Sequence, residues 1–194
     1  TTRWTYDAAG NMIASATQSQ LDDNTATSYE YDYNRLAQVH YPTHPQMDVF
    51  YTYSDSTGRL LSRKDITGTE RYEYDELGNV SLSERLIVLP TEQNGYRFTT
   101  RYKYDAFGRM QYILLPDGYF VRYSYNYGNV SRIWGNKRNA RSQYAKNIHY
   151  DVYDRIDTVL YGNDIRTTYT YDTNRQWLTG QKVQGNGKVL QDLH

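Results

Sequence analysis

The chain has 194 residues, 22 basic and 22 acidic side chains, and a formal net charge of zero. This balance speaks against nucleic-acid binding and against a polybasic membrane contact driven by long-range electrostatics. Cysteine is absent, which excludes disulfides, thiolate nucleophiles and Cys-based zinc sites. No apolar stretch approaches the roughly 20 residues that span a bilayer.

Tyrosine takes the place of the aliphatic residues that would form an ordinary core. The chain contains 23 Tyr but only 4 Phe and 3 Met. Zero net charge and abundant aromatic residues are not typical of a disordered chain. A Tyr ring buries a large area while its hydroxyl needs water or a hydrogen-bond partner. The composition therefore predicts a folded protein with many half-buried surfaces and no single thick, dry core.

One unit recurs along the chain. It consists of a large apolar residue, any residue, a Tyr, an Asp or Asn, a short turn, a basic residue or Asn, and an aliphatic residue; the clearest copies cover residues 4–12, 72–80 and 102–110. The second aromatic residue of each copy is Tyr6, Tyr31, Tyr53, Tyr74, Tyr104, Tyr125, Tyr150 or Tyr171. Residues 1–194 are therefore interpreted as a single array of about eight repeats, which we expect to be a fragment of a longer chain.

The first half of the unit predicts a strand and a hairpin turn. Aromatic residues at i and i+2 lie on the same face of a strand. An Asp with Gly at the fourth position, as from Asp7 to Gly10 or from Asp105 to Gly108, is typical of a type I turn closed by a left-handed Gly. Three copies, at Asp32, Asn126 and Asp151, are interpreted as one residue shorter. Their positive φ is assigned to Asn34, Gly128 and Asp154.

The second half of the unit predicts a return strand and a second reversal. Return strands are expected to start at Met12, Leu36, Leu60, Val80, Met110, Val130 and Ile156. Second turns are expected near residues 65–68, 115–118 and 161–164. No window has a 3.6-residue apolar period over a helical length. The pattern predicts an all-β fold of about sixteen short strands.

Because a two-stranded hairpin is not stable alone, each unit must pair with its neighbours. A continuous sheet of this many strands twists and curls. We therefore predict a curled antiparallel sheet of stacked hairpins, of the β-solenoid class, as an open-ended strip or partial shell. Its unpaired strand edges are candidate sites for self-association into a homo-oligomer.

These residues resemble a known family. The Tyr-x-Tyr-Asp-x-x-Gly-Arg/Asn unit, with the Pro116–Gly118 second turn, is similar to the YD or Rhs repeat of bacterial Rhs polymorphic toxins, wall-associated proteins, insecticidal toxin-complex components and teneurins. The resemblance covers residues from Trp4 to about Trp177. It implies a β-sheet strip that winds into a hollow shell, which in the bacterial members encloses a toxic domain. Autoproteolysis is not implied, because the chain lacks the Asp-Pro motif of the family members that release their cargo.

No catalytic, cofactor-binding or metal-binding residue is predicted. The repeated acids precede turns and are interpreted as turn formers: Asp7, Asp32, Asp75, Asp105, Asp151 and Asp172. His40 and His44 have a metal-like i, i+4 spacing, but the prolines at 42 and 45 argue against a helix that would place them on one face. Phosphate-loop, nucleophile-elbow, zinc and dinucleotide motifs are absent from the sequence.

Two further segments carry open alternatives. Residues 132–146 interleave basic and aromatic side chains, which fits contact with RNA, anionic glycan or enclosed cargo; a solvated loop between repeats is the favoured interpretation. Residues 86–90 are apolar and precede the polar stretch 91–95. This pattern predicts an extended hairpin with a longer loop, and its apolar run is a candidate association edge.

The leading hypothesis is a non-catalytic shell segment that encloses or scaffolds a toxin-like polypeptide, secreted or at a bacterial cell surface. Its expected partners are the rest of the shell or the enclosed chain, with no nucleic acid, membrane span or cofactor. One alternative is an extracellular carbohydrate- or protein-binding repeat, in which tyrosine platforms stack on sugar rings. The other is an open strip that self-associates through its strand edges.

Overall fold

The structure is a computed structural model that describes residues 1–89, 95–137 and 140–194, excluding the side chain of Lys137. Its strands are β1 Thr2–Tyr6, β2 Met12–Thr17, β3 Thr27–Asp32, β4 Arg35–His40, β5 Val49–Tyr53, β6 Leu60–Asp65, β7 Gly68–Tyr74, β8 Val80–Ile87, β9 Tyr96–Tyr104, β10 Met110–Leu114, β11 Phe120–Asn126, β12 Asn129–Lys137, β13 Ala140–Tyr150, β14 Ile156–Tyr161, β15 Arg166–Tyr171, β16 Leu178–Gly185 and β17 Lys188–Leu193. The predicted all-β fold class is confirmed, with seventeen strands across the described ranges where about sixteen were expected.

Two short helical turns interrupt the strands, which the sequence pattern did not predict. The helix α1 Gln18–Asp22 is capped by Thr17, whose side chain accepts a hydrogen bond from the Gln20 backbone N–H in a capping box. A 3₁₀ turn, Pro45–Met47, follows β4. Neither is longer than five residues, and none of the helices described is long and apolar enough to cross a membrane.

The chain divides into two compact units, Thr1–Thr99 and Thr100–His194. In the first unit, strands β1 to β8 pair with their sequence neighbours in antiparallel order. In the second unit, the end of β9 pairs with β10, and the same order continues to β17. Each unit is an antiparallel meander, because each strand is joined to the next by a connection short enough for them to be neighbours.

The strand register slips by one residue beside the second aromatic position of most repeats. The shift lies between Glu73 and Tyr74 in β7, and between Ser124 and Tyr125 in β11. Such a bulge increases local twist and re-aims the following side chain. The same feature recurs next to Tyr6, Tyr31, Tyr53, Tyr150 and Tyr171. It places the aromatic ring against the neighbouring strand.

The predicted turn conformations are present. Gly10, Gly78 and Gly108 have φ of 89°, 89° and 73°, as a type I turn closed by a left-handed residue requires. In the shorter turn after Asp32, both Tyr33 and Asn34 have positive φ, at 47° and 63°. Two consecutive left-handed residues are typical of a type I′ hairpin, and Tyr127 with Gly128 repeats the arrangement.

One predicted turn length is wrong. The turn that begins at Asp151 was interpreted as one residue short, but it has the full length. Its Asp154 has φ of 60°, and the Asp154 N–H donates to the Asp151 carbonyl at 3.1 Å. Asp154 thus occupies the position that Gly108 fills two repeats earlier. Asp tolerates the left-handed region better than most residues, so a full-length turn forms without Gly.

Burial is thin. Among the described residues the buried apolar side chains are Ala16, Val39, Val49, Ala145 and Val159, and none of the large side chains is fully buried. The tyrosine pairs of the repeats are half-buried, as in Tyr72 and Tyr74 on either side of the exposed Glu73. The expected absence of a thick apolar core therefore matches the part of the chain that is described.

Candidate functional site

In most repeats the first turn is organised by an Asp carboxylate. In the turn after β9, one oxygen of Asp105 accepts hydrogen bonds from the backbone N–H groups of Phe107 at 2.9 Å and Arg109 at 3.0 Å. The other oxygen accepts from the Arg109 guanidinium at 2.8 Å. Asp151 makes the equivalent contacts with Tyr153 and Arg155. Both carboxylates are used by the turn itself, as a turn-forming role requires.

The same hydrogen bonds set the ionisation of these acids. The side-chain hydrogen bond from Arg109 lowers the pKa of Asp105, and that from Arg155 lowers the pKa of Asp151. Where Asn replaces Arg, the side chains of Asn11 and Asn79 lower the pKa of Asp7 and Asp75 in the same way. These acids are therefore held in the charged form, opposite to the protonated state that a general acid needs near neutral pH.

A tyrosine hydroxyl connects each of several repeats to the one before it. The Tyr74 hydroxyl donates to the Leu60 carbonyl oxygen at 2.7 Å, and the Tyr171 hydroxyl donates to the Ile156 carbonyl oxygen at 2.8 Å. In both pairs the acceptor is the aliphatic residue that follows the preceding turn. The same bond joins Tyr31 to Met12, Tyr53 to Leu36 and Tyr125 to Met110. We call these five hydrogen bonds the tyrosine rungs.

An arginine covers the ring of most tyrosines that form a rung. The Arg109 guanidinium lies 4.4 Å from the Tyr125 ring centroid, and that of Arg155 lies 4.2 Å from the Tyr171 ring centroid. Arg35 over Tyr53 and Arg59 over Tyr74 repeat the contact at 5.1 and 5.6 Å. Each of these arginines immediately precedes the residue whose carbonyl accepts the rung. The arginine therefore contacts the tyrosine ring of the next repeat, and the following residue binds the hydroxyl of the same tyrosine.

Two of the asparagines connect consecutive first turns by a different contact. Asn11 donates through its side-chain amide to the Asn34 side-chain oxygen at 2.9 Å. Asn129 donates to the Asp154 carboxylate, also at 2.9 Å. Both bonds join one first turn to the next along the array. Turn-to-turn contacts thus accompany the rungs at these two positions, whereas the Asn79 side chain bonds the Asp75 carboxylate of its own turn.

The two candidate histidines contact different partners. The His40 imidazole Nδ1 lies 2.7 Å from the carboxylate of the buried Asp48, and His44 contacts the hydroxyl of Thr43 instead. The Asp48 carboxylate also accepts from the Tyr41 backbone N–H at 2.9 Å, and its pKa is lowered mainly by the His40 hydrogen bond. In the described ranges no group of three His, Cys, Asp or Glu side chains is placed to hold a metal ion.

The basic–aromatic segment 132–146 is not a solvated loop, and that interpretation is wrong for the residues described. Trp134 is half-buried in β12. Arg141 belongs to β13, and its guanidinium lies 4.6 Å from the centroid of the Trp134 ring. The Arg122 guanidinium, on β11, lies 5.5 Å from the same ring. Arg138, which was counted in this cluster, lies outside the described residues.

The apolar run 86–90 is only partly described. Leu86 and Ile87 end β8, and Val88 and Leu89 are 42% and 40% exposed. The rest of the expected hairpin loop, residues 90–94, lies outside the described residues. The proposed association edge at this run therefore stays a prediction.

One segment of the chain matches a known family model. The RHS repeat family model matches residues 55–86, which contain β6, β7 and most of β8. None of the curated protein sequences matches this chain.

Solved structures share the fold over nearly the whole chain. The crystal structure of TcdB2-TccC3 is 20% identical, matches 98% of this chain and 11% of its own, and has a TM-score of 0.82. The Photorhabdus luminescens Tc holotoxin pore is 21% identical over 98% of this chain and 10% of its own, with a TM-score of 0.81. The chain thus spans about a tenth of the length of these solved chains. The resemblance predicted from the repeated Tyr-Asp unit is confirmed: residues 55–86 match the RHS repeat model, and the solved structures share the fold.

Proposed function

We propose that this chain is a non-catalytic wall segment of a YD/Rhs-repeat shell that encloses a toxin-like polypeptide in a secreted or cell-surface bacterial protein. The observation that carries the proposal is the set of tyrosine rungs, each linking one repeat to the repeat before it. Within each compact unit, such links hold together repeats that are individually unstable. The Tyr side chains that recur in the repeat form those links.

Three kinds of observation support a wall over a reacting site. The turn acids are engaged by backbone N–H groups and by Arg or Asn side chains, which keeps them ionised. The sheet carries little buried apolar area, as a thin partition does. The solved relatives in fold include a Tc holotoxin pore, and toxin assembly is the context in which a protective enclosure has a purpose.

Protease protection in the natural protein that contains this segment tests the proposal. We expect the wall to leave a defined polypeptide outside the repeat array uncut under native conditions, as mapped by mass spectrometry of the surviving peptides. A variant with Tyr53→Phe, Tyr125→Phe and Tyr171→Phe removes three rungs and should increase the cleavage rate of that polypeptide. A variant with Tyr33→Phe and Tyr127→Phe is the control, because those side chains are 90% and 98% exposed at turn tips. Cleavage of every segment in the unmodified protein would overturn the proposal.

Glycan binding is the second candidate, and the exposed turn tips favour it. Phe107 is 82% exposed and Trp177 is 66% exposed. One arginine contacts each ring, Arg109 at 4.9 Å and Arg175 at 5.3 Å, and the large exposed fraction leaves ring surface for stacking on a sugar. The tyrosine pairs within the strands are half-buried, and five of their hydroxyls already form rungs. The aromatic rings proposed to stack on sugars are therefore those at the turns. A glycan array in which binding is lost with Phe107→Ala and Trp177→Ala would support this function, and a uniformly negative array would count against it.

Self-association through strand edges is the third candidate. Sedimentation velocity over a hundredfold range of protein concentration tests it. A concentration-dependent dimer or larger species would support it, whereas a monomer at every concentration would remove it.

A further inference from the structure

The zero net charge of the chain conceals a strongly cationic stretch. Residues 100–149 contain nine basic side chains but only two acidic ones, a local net charge of +7. The two acids are Asp105, whose carboxylate is paired with Arg109, and Asp117, whose carboxylate accepts a backbone hydrogen bond from Tyr119. The basic residues are Arg101, Lys103, Arg109, Arg122, Arg132, Lys137, Arg138, Arg141 and Lys146.

Strand register gathers five of these cations on one face of the second unit. Lys103 is paired with Tyr112, and Tyr112 with Arg122 on the next strand. Arg122 is in turn paired with Trp134. Directly paired residues of neighbouring strands project to the same side of a sheet, so these four side chains form one row across β9 to β12.

The rest of the face follows from the same register. Arg101 is paired with Leu114, two residues along each strand from the Lys103–Tyr112 pair and therefore on the same face. Arg132 is paired with Ser124, and Arg141 is paired with Asn136. The five cations Arg101, Lys103, Arg122, Arg132 and Arg141 are all exposed. We call them the cationic face. Neighbouring strands lie about 4.8 Å apart, so the face extends about 19 Å from β9 to β13.

The cationic face is unneutralised within the described residues. None of the five cations forms an ion pair with a described acid, although arginines of the first unit do, as Arg97 does with Glu84 and Arg63 with Asp65. The strand positions of the face that separate the cations are occupied by neutral residues such as Tyr112, Phe120 and Trp134. Five unpaired like charges repel one another, and an anionic partner relieves that repulsion.

The aromatic residues of the face hold the cations and are not free to stack on a ligand. The Trp134 ring contacts Arg122 and Arg141, with the Phe120 ring 5.6 Å away in an edge-on contact. The Tyr112 ring stacks on Phe120 at 5.5 Å. Single-stranded nucleic acid and sugars are bound largely by stacking on open aromatic rings. The rings of this face are occupied by the arginines and by one another, so they do not provide such stacking. The planar guanidinium groups, in contrast, match the geometry of carboxylates.

We propose that the cationic face binds an acidic polypeptide segment, with the guanidinium groups contacting Asp and Glu carboxylates and Leu114 contacting the apolar residues between them. The inference deepens the proposed function by naming the chemistry of the enclosed chain, and it rests on that function for the partner being a polypeptide. The charge and register observations are independent of it.

Fluorescence anisotropy with labelled poly-L-glutamate tests the inference on the chain as given. The face variant Arg101→Gln, Lys103→Gln, Arg132→Gln removes three cations while leaving the Arg–Trp134 contacts intact. The control variant Arg166→Gln, Arg175→Gln, Lys188→Gln removes the same charge from exposed positions elsewhere in the second unit. Circular dichroism of both variants verifies that the β-sheet is retained. We expect the face variant to bind poly-L-glutamate about tenfold more weakly or worse, and the control to change by less than about twofold.

Three results would overturn the inference. An equal loss in both variants would mean that only net charge matters, and no binding at low salt would mean that the face has no anionic partner. Tighter binding of oligo-dT or heparin than of poly-L-glutamate at equal charge would assign the face to nucleic acid or sulfated glycan. If poly-L-glutamate binding fails while a polypeptide remains protease-protected in the natural protein, the inference is wrong and the proposed function stands. Face-dependent binding without any protected polypeptide would reject the proposed function instead.

Discussion

The hydroxyl of Tyr125 donates a hydrogen bond to the backbone carbonyl oxygen of Met110 at 2.5 Å, fifteen residues earlier in the chain. Each residue belongs to a different repeat, and each occupies the position that the repeat prescribes. The phenol reaches a carbonyl of β10 on one side of β11, whereas on the other side the pairing of β11 with β12 slips by one residue beside Tyr125. A side chain that is apolar along its ring and polar at its tip is needed for this contact, which explains why the unit uses Tyr and not Phe.

Removing one rung should measurably weaken the fold. Tyr125→Phe keeps the ring under Arg109 but deletes the hydroxyl and leaves the part-buried Met110 carbonyl without that donor. We expect the free energy of unfolding to fall by about 1 kcal/mol, measured by urea denaturation. Tyr127→Phe is the matched control, because Tyr127 is 98% exposed. Equal stability of the two variants would show that the rung contributes nothing.

The arginine that covers a rung should not be replaceable by lysine. The Arg155 guanidinium lies 4.2 Å from the Tyr171 ring centroid and pairs with the Asp151 carboxylate at 2.6 Å. A lysine ammonium is not planar, so it cannot stack on the ring while bonding the carboxylate through two nitrogens. We expect Arg155→Lys to destabilise the chain by about 1 kcal/mol and Arg155→Ala by about 1–2 kcal/mol.

Thermal and urea unfolding of both variants check this prediction. Arg166→Ala serves as the control, because Arg166 is exposed and covers no tyrosine ring in the described structure; its change should stay within about 0.5 kcal/mol. Full retention of stability in Arg155→Lys would show that charge alone, without guanidinium geometry, accounts for the contact.

Much of this fold was predictable because its determinants are local. The left-handed residues Gly10, Gly78 and Gly108 are placed by a four-residue pattern, and the strands start within one residue of the expected aliphatic positions. The helix α1 was not predicted, because five residues are too few to show a 3.6-residue apolar period. Its capping box, Thr17 with Gln20, is the one signal that indicates it.

The contacts between repeats were less predictable. Which carbonyl accepts the Tyr125 hydroxyl depends on strand register and on the bulge beside it, neither of which the repeat spacing specifies. The cationic face was missed for a similar reason. A net charge summed over the whole chain averages away the local excess, and the segment around Trp134 resembled a loop until register placed alternate residues on one side of β12.

Two glycines with the same φ separate backbone strain from side-chain contact. Gly10 and Gly78 both have φ of 89°, and an added Cβ meets nothing within 4 Å at Gly10 but lies 1.8 Å from the Arg59 guanidinium at Gly78. Alanine at either position pays about 1–2 kcal/mol for the left-handed conformation. Gly78→Ala must also displace Arg59 from the Tyr74 ring, which adds about 0.5–1 kcal/mol.

Urea denaturation of the two glycine variants makes that comparison directly. We expect Gly78→Ala to be the less stable of the pair. If Gly78→Ala destabilises the chain no more than Gly10→Ala when both are made in the Arg59→Ala background, the extra cost comes from the guanidinium contact. Equal destabilisation of Gly10→Ala and Gly78→Ala would contradict it.

Acid should weaken the fold through the turn acids. Hydrogen bonds from Arg109 and Arg155 lower the pKa of Asp105 and Asp151 below the usual value near 3.8. A carboxyl whose folded-state pKa is lowered contributes stability that is fully present above its unfolded-state pKa and is lost as the pH falls through its folded-state pKa. We therefore expect the urea midpoint to be constant from pH 7 to about pH 5 and to decline below about pH 4.

Neutral variants identify which acids cause that decline. Asp105→Asn should lower the midpoint at pH 7 and reduce its further loss in acid, because an amide cannot change its charge there. Asp22→Asn, at an exposed helical position, is the control and should leave the acid profile as it was. An unchanged profile in Asp105→Asn would remove the turn acid from the account of acid sensitivity.

Alkali should weaken the fold through the half-buried phenols. Burial raises the pKa of Tyr125 and Tyr150 above the usual value of 10.0, because the phenolate is poorly solvated where the ring is packed. A group whose folded-state pKa is raised contributes stability that is fully present below its unfolded-state pKa and is lost as the pH rises through its folded-state pKa. We expect unfolding above about pH 10 to release these protons together.

Absorbance of phenolate near 295 nm, followed alongside circular dichroism, tests the coupling of ionisation to unfolding. Part of the phenolate absorbance, that of Tyr125 and Tyr150 included, should appear only in a second step, the one in which the β-sheet signal disappears. Tyr125→Phe removes one phenol from that second step and one rung from the fold, so its unfolding should begin at lower pH despite the smaller number of ionisable groups. A single smooth titration of all tyrosines, with the sheet intact throughout, would show that the phenols are not held by the wall.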